Sequence, residues 1–161
     1  MFSSLSLDGT LGRIGELCPS GYAIALHIRF TTPRYLFQAY DSAWVEYYSQ
    51  NALVLHDPLV RWALTHEGAR RWEDLEHEDS MGVIAAARRF GFAHAIVISH
   101  VLDGSRSLGG FTRPDRPHRD AEIAELTRLL ARLAEMTADP GALPEAERAA
   151  LHALSVVQTH S

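Results

Sequence analysis

Residues 92–101 (FAHAIVISHV) and 107–113 (SLGGFTR) read as strands, and only LDGSR separates them. A connection that short cannot supply the crossover that parallel strands need, so the two must pair antiparallel. Upstream, GYAIALHIRF at 21–30 and RYLFQAY at 34–40 flank a short TTP connection and predict a second hairpin. The stretch between the hairpins is helical in pattern. One helix is expected from Tyr40 to about Ala52, with Tyr40, Trp44 and Tyr48 at four-residue steps on one face. Asp57-Pro58 predicts a second helix start, aspartate as N-cap and proline at the first position, running to near Gly68. SMGVIAAARRFG at 80–91 predicts a third, closed by Gly91. Residues 4–17 suggest a short amphipathic helix interrupted near Gly9. A long helix over about 117–137 carries Ile123, Leu126, Leu129, Leu130, Leu133 and Met136 as its buried stripe, before ADPG breaks it. Hairpins around a helical middle, with helices at both ends, predict an α/β domain whose antiparallel sheet is covered on both faces. Such layers often hold a ligand between sheet and helices.

Bulk properties narrow the function. At 161 residues, 47% hydrophobic and 22% charged, the chain matches one ordinary globular domain. Its longest apolar runs are far too short to span a bilayer, and no signal peptide is read at the N-terminus. One cysteine, Cys18, cannot form an internal disulfide, which fits a reducing cytoplasm, the expected location. All 15 basic residues are arginines, net charge is −5, and the densest basic cluster (Arg113, Arg116, Arg119) is interrupted by Asp115 and Asp120. Direct nucleic-acid binding by these residues is therefore not expected.

No catalytic signature is present: no HExxH, no GxSxG, no P-loop and no dinucleotide glycine fingerprint. His94 and His100 share one strand, but six residues along a strand put them about 20 Å apart, too far to share an ion. Cys18 lacks an obvious histidine partner in sequence and reads as a small buried hydrophobe. The chain is expected not to be an enzyme and to need no metal or cofactor. The aromatic cluster of YDSAWVEYYSQNALVLHDP at 40–58 carries more information. Each member has a plain structural reading: Trp44 and Tyr48 as core, Asp57 as a helix cap, Trp72 as a loop anchor. Together they place indole N–H and phenol O–H donors around one carboxylate, all of which need partners when buried. That set suits a neutral ligand with an amide and a carbonyl, because each group left unpaired costs about 1–3 kcal/mol.

The spacing resembles the autoinducer-binding domain of LuxR-type quorum-sensing regulators. Tyr40, Trp44 and Tyr48 stand at successive four-residue steps, Asp57-Pro58 follows thirteen past Trp44, and Trp72 fifteen past Asp57. SLGGFT at 107–112 looks like a further family strand, with Thr112 at a position that often faces the ligand. The resemblance covers about residues 20–137. It implies an α-β-α sandwich with a central five-stranded antiparallel sheet enclosing an N-acyl-homoserine lactone, the signal ligand. Trp44 would donate to the lactone carbonyl, Asp57 accept the amide N–H, and Tyr40 donate to the acyl carbonyl. Tyr48 and Trp72 would wall the head group, Thr112 could bond the acyl carbonyl or, through water, a 3-oxo group, and Leu36, Leu59, Ala87 and Phe92 would neighbour the acyl chain. It also implies a homodimer, formed through the 117–137 helix and its neighbours.

The sequence departs from the family pattern at Val45, Leu53, Ala69, Ala95 and Ser99. Leu53 stands where the family has a further aromatic, and Val45 where some members have an arginine near a 3-oxo group. The head-group set is kept while the tail end has drifted. The expected organisation is a ligand-binding domain over 1–138, then a linker over 139–161. ALPEAERAALHALS at 142–155 resembles the opening helix of a helix-turn-helix domain, through which alone DNA would be contacted, or reads as an amphipathic tail.

Overall fold

The computed structural model describes residues 6–30 and 32–156. The elements run α1 (Leu7–Leu17), β1 (Tyr22–Ile28), β2 (Tyr35–Gln38), α2 (Ser42–Gln50), α3 (Pro58–Thr65), β3 (Gly68–Arg71), α4 (Val83–Arg89), β4 (His94–Leu102), β5 (Ser105–Arg113), α5 (Asp120–Ala138) and α6 (Glu145–Leu154), with 3-10 turns at Leu53–Leu55, Trp72–Glu78 and Pro140–Ala142. The five strands form one sheet in the order β2-β1-β5-β4-β3, every pairing antiparallel. The β4–β5 hairpin turns on Asp103 (φ 49°) and Gly104 (φ 79°), two successive left-handed residues of the kind a tight hairpin needs.

The two sheet faces differ in side-chain size. Tyr22, Ile24, Leu26, Tyr35, Phe37, Ile96, Ile98 and Phe111 point to one face and pack with Leu7, Leu11, Ile14 and Leu17 of α1 and with α5. In α5, Leu126, Leu129, Leu130 and Leu133 are fully buried, each contributing up to about 1.5–3 kcal/mol by area. Helix α6 closes the same layer. Leu151 is buried, and Glu147 Oε2 accepts the Leu7 N–H at 2.9 Å. The opposite face, under α2, α3 and α4, is lined by register with Ala23, Ala25, Ala95, Gly110 and Thr112, with Val97, Ser99 and Leu108 beside them and with Leu36 and Gln38 on the edge strand β2. The large residues thus build the scaffold on one side, and the small ones leave room on the other.

Three sequence expectations are corrected. Helix α1 runs unbroken past Gly9, because Gly9 lies in its first turn, where Ser6 Oγ accepts its N–H at 3.0 Å. Tyr40 precedes α2 instead of opening it, since Asp41 is the cap and accepts from Ala43 N at 3.1 Å. The helix from Asp57 ends at Thr65, and the following Gly68–Arg71 is an edge strand paired with Ile96–Ser99.

Candidate functional site

Over the small-residue face sits an aromatic layer. Trp44, Leu53, Trp72, Val83, Ile84, Ala86, Ala87, Phe92 and Ala95 form one buried cluster, with Tyr40, Tyr47, Tyr48 and Leu59 packed against it. The Trp44 ring lies 5.6 Å from Tyr48, 6.0 Å from Tyr47, 5.2 Å from Phe90 and 5.6 Å from Phe92, centroid to centroid. Trp72 begins the turn after β3, with the Arg88 guanidinium 4.9 Å above its ring. Tyr40 reaches across to the sheet, its hydroxyl donating to the Gly110 carbonyl at 3.3 Å. A Cβ at position 110 would stand 3.2 Å from that hydroxyl, so glycine there lets the phenol approach the strand.

Asp57 has two duties. As the α3 cap its Oδ1 accepts the Leu59 N–H at 2.9 Å, and its Oδ2 accepts the Tyr48 hydroxyl at 2.8 Å. Burial raises its pKa from the ordinary carboxylate value, against the opposing effect of the bonds from Tyr48, Leu59 and Val60. Burial, and then the nearby Asp57 carboxylate, also raise the phenols of Tyr40 and Tyr48, which therefore remain protonated donors at neutral pH. A carboxylate offers about four acceptor positions, so the bonds from Tyr48 and Leu59 leave Asp57 capacity for a further donor.

The centre of this face is only partly covered. Ala23 and Ala25 of β1 and Gly110 of β5 keep accessible surface, although their strands are the second and third of the five. Their neighbours on the other face, Ile24, Leu26 and Gly109, are buried. Tyr40, Tyr48, Asp57 and Leu59 likewise keep accessible surface. Neither the Trp44 nor the Trp72 indole N–H donates to any of the described residues, and neither is a sealed, unpaired group. Two indoles, a carboxylate and two phenols thus lie over a strand surface of alanine and glycine that is not fully covered.

Of the residues singled out by sequence, Tyr40, Trp44, Tyr48, Leu59, Trp72, Ala87 and Phe92 come together here, and Asp57 joins through Tyr48. Leu36 shares the face by its pairing with Ala25 but sits on edge strand β2, outside the cluster. Thr112 shares the face beside Ala95, yet its hydroxyl donates to the Gly21 carbonyl at 2.7 Å and meets Ser20 Oγ at 2.7 Å. Its hydroxyl is thus already engaged by the Gly21 carbonyl and Ser20, and Thr112 stands outside the cluster. Tyr47 and Phe90 are members that sequence spacing did not reveal. Cys18 does have a histidine neighbour: His118 Nε2 lies 3.7 Å from its sulfur and 2.9 Å from the Leu17 carbonyl. Burial pushes that thiol up to about 12, which keeps it protonated and unreactive. Among the described residues no group of three or more His, Cys, Asp or Glu could hold a metal ion, and no helix is long and apolar enough to cross a membrane. A groove of about 490 Å³ lies on the far side of the sheet, between α1, α5 and α6, lined by Arg132, Glu135, Met136, Leu143 and Glu147 among others. Its lining contains none of the aromatic residues of the layer under α2–α4.

The family described as "Autoinducer binding domain" matches residues 22–139. Among solved structures, SdiA in complex with octanoyl-rac-glycerol superposes with a TM-score of 0.64 at 21% identity, over 86% of this chain and 63% of that one. Escherichia coli SdiA gives 0.66 at 20% identity, over 99% and 68%. CepR2 of Burkholderia cenocepacia, an N-acylhomoserine lactone dependent LuxR family transcription factor, gives 0.60 at 14% identity, over 81% and 79%. At these identities the likeness establishes the fold, and the chain spans less than two thirds of the length of the SdiA complex chain. No curated protein sequence matches this chain.

Proposed function

The chain belongs to the autoinducer-binding domain family, and from that premise we propose that it senses an N-acyl-homoserine lactone lying between the small-residue sheet face and α2–α4. The observation that carries this reading is the accessible centre of that face beneath the aromatic layer. Trp44 donates to the lactone carbonyl, Asp57 accepts the amide N–H, and Tyr40 leaves its long bond to Gly110 to donate to the acyl carbonyl. Tyr48 fixes the Asp57 carboxylate, and Trp72 walls the ring. The tail runs over Ala25 and Leu108 toward Leu59, with Leu36 at the sheet edge. Because Thr112 has no free proton, a 3-oxo group receives no hydrogen bond from it. A monoacylglycerol, the kind of ligand named for the SdiA complex, is a second class this donor set accommodates. Its ester carbonyl would take the Trp44 or Tyr40 donor, and a glycerol hydroxyl would donate to Asp57 in place of the amide.

In a longer protein this domain would set the state of a DNA reader, working as a homodimer through α5 and its neighbours. Ligand would act as part of the core. At 100 times its dissociation constant it adds about 2.7 kcal/mol, a large share of a typical 5–15 kcal/mol. The test is thermal melting with a panel of lactones of graded tail length, with and without a 3-oxo group, and with 1-octanoyl-rac-glycerol. The expected result is a rise in melting temperature that depends on tail length and is greatest for unsubstituted tails. A well-folded protein whose melting no member of the panel shifts would refute the reading.

A further inference from the structure

Helix α4 ends in a pair of bonds that fix two aromatic rings. The Phe92 N–H donates to the Ala87 carbonyl at 3.2 Å and the Gly91 N–H to the Arg88 carbonyl at 3.0 Å, with Gly91 at φ 99°. This is a Schellman closure, which needs a left-handed residue between the two phenylalanines. Both rings bear on Trp44, edge on: Phe90 at 5.2 Å and 61°, Phe92 at 5.6 Å and 67°. Phe92 also meets Tyr40 at 5.3 Å and 75°, so one ring touches both of the proposed carbonyl donors. Burial accounts for Phe92, which is 6% exposed, but less well for Phe90, which is 41% exposed. The aromatic neighbours of Phe90 are Trp44 and Tyr47, the latter at 5.0 Å.

We infer that Phe90 is a positioning residue for the ligand site, holding the Trp44 indole from outside while Phe92 holds it from within. The inference rests on the lactone reading above. An indole on a helix face can turn about two side-chain bonds, and only the rotamer that aims its N–H at the open centre binds. If the other rotamers become populated, apparent affinity falls by the fraction lost. The turn at Gly91 restricts those rotamers by setting two rings against the indole, at 5.2 and 5.6 Å.

The test compares Phe90→Ala with Phe90→Tyr. For N-octanoyl-homoserine lactone, Phe90→Ala is expected to raise Kd about fivefold, the worth of one edge-on aromatic contact, while Phe90→Tyr stays within about twofold because the ring remains. In ligand-free protein labelled with 5-fluorotryptophan, the Trp44 fluorine signal, assigned by its loss in Trp44→Phe, should broaden or split in Phe90→Ala while the Trp72 signal stays sharp. Unchanged Kd, or equal weakening by alanine and tyrosine, would overturn the inference. If the parent protein binds no lactone, the fluorine spectra decide alone: a single sharp Trp44 signal in Phe90→Ala refutes the positioning role, and a broadened one upholds it. Should the alanine variant fail to fold, Phe90→Leu is measured in its place with the same criteria.

Discussion

Trp44→Phe is expected to weaken binding of N-octanoyl-homoserine lactone by about 1–3 kcal/mol, roughly 5- to 150-fold in Kd. The substitution keeps an aromatic ring against Tyr48, Phe90 and Phe92 and removes the indole N–H, which no described residue accepts. Shrinking the side chain also lowers stability, because Trp44 is only 7% exposed. That loss is common to empty and loaded protein, so it cancels in Kd and leaves the donor's share. Titration calorimetry on both proteins measures it. Equal dissociation constants would mean that Trp44 is a wall and that the carbonyl finds its donor elsewhere.

Asp57→Asn is expected to separate stability from binding. In the folded domain burial raises the Asp57 pKa above its ordinary 3.8, so the native state holds the proton more tightly than the unfolded chain does. Stability from this group is therefore fully present below the unfolded value and lost as pH rises through the folded value. At neutral pH the buried charge is a net cost to the empty domain. Asparagine removes that charge and still caps α3, and the Tyr48 hydroxyl can turn to accept from its amide. The empty variant should melt at or above the parent at pH 7, with a flatter dependence on pH across the acidic range. Lactone binding should nonetheless fall by about 1.5–3 kcal/mol, since a hydrogen bond to a charged acceptor is lost. A variant that binds as the parent does, or that melts well below it when empty, would contradict these roles for Asp57.

Much of this architecture was legible because local chemistry and tertiary need agree. The Asp57-Pro58 start, the leucine stripe of α5 and the turn after β4 are each written in a few adjacent residues and formed as expected. Strand β3 was not legible. Its four residues, Gly-Ala-Arg-Arg, have no apolar alternation, and they are extended because the backbone of β4 pairs with them. The spacing of Tyr40, Trp44, Tyr48, Asp57 and Trp72 did signal one cluster, since consecutive helices must turn those faces to the same sheet. The state of Thr112 was hidden, because its partners Ser20 and Gly21 lie some ninety positions away. Phe90 was hidden for a similar reason. Half-exposed aromatics carry no periodic signal, and only the closure at Gly91 brings this one onto Trp44.

A ligand lying between the small-residue face and the aromatic layer would touch Trp44 and the centre of the sheet. The most direct measurement is a proton–nitrogen NMR titration with N-octanoyl-homoserine lactone, following the three tryptophan indoles and the backbone amides. The expected result is a large downfield shift of the Trp44 indole proton and saturating shifts at Ala23, Ala25 and Gly110. Amides around Arg132, Met136 and Leu143 in the far groove should stay unmoved. Shifts confined to that groove, or an unmoved Trp44 indole at saturation, would place the ligand elsewhere.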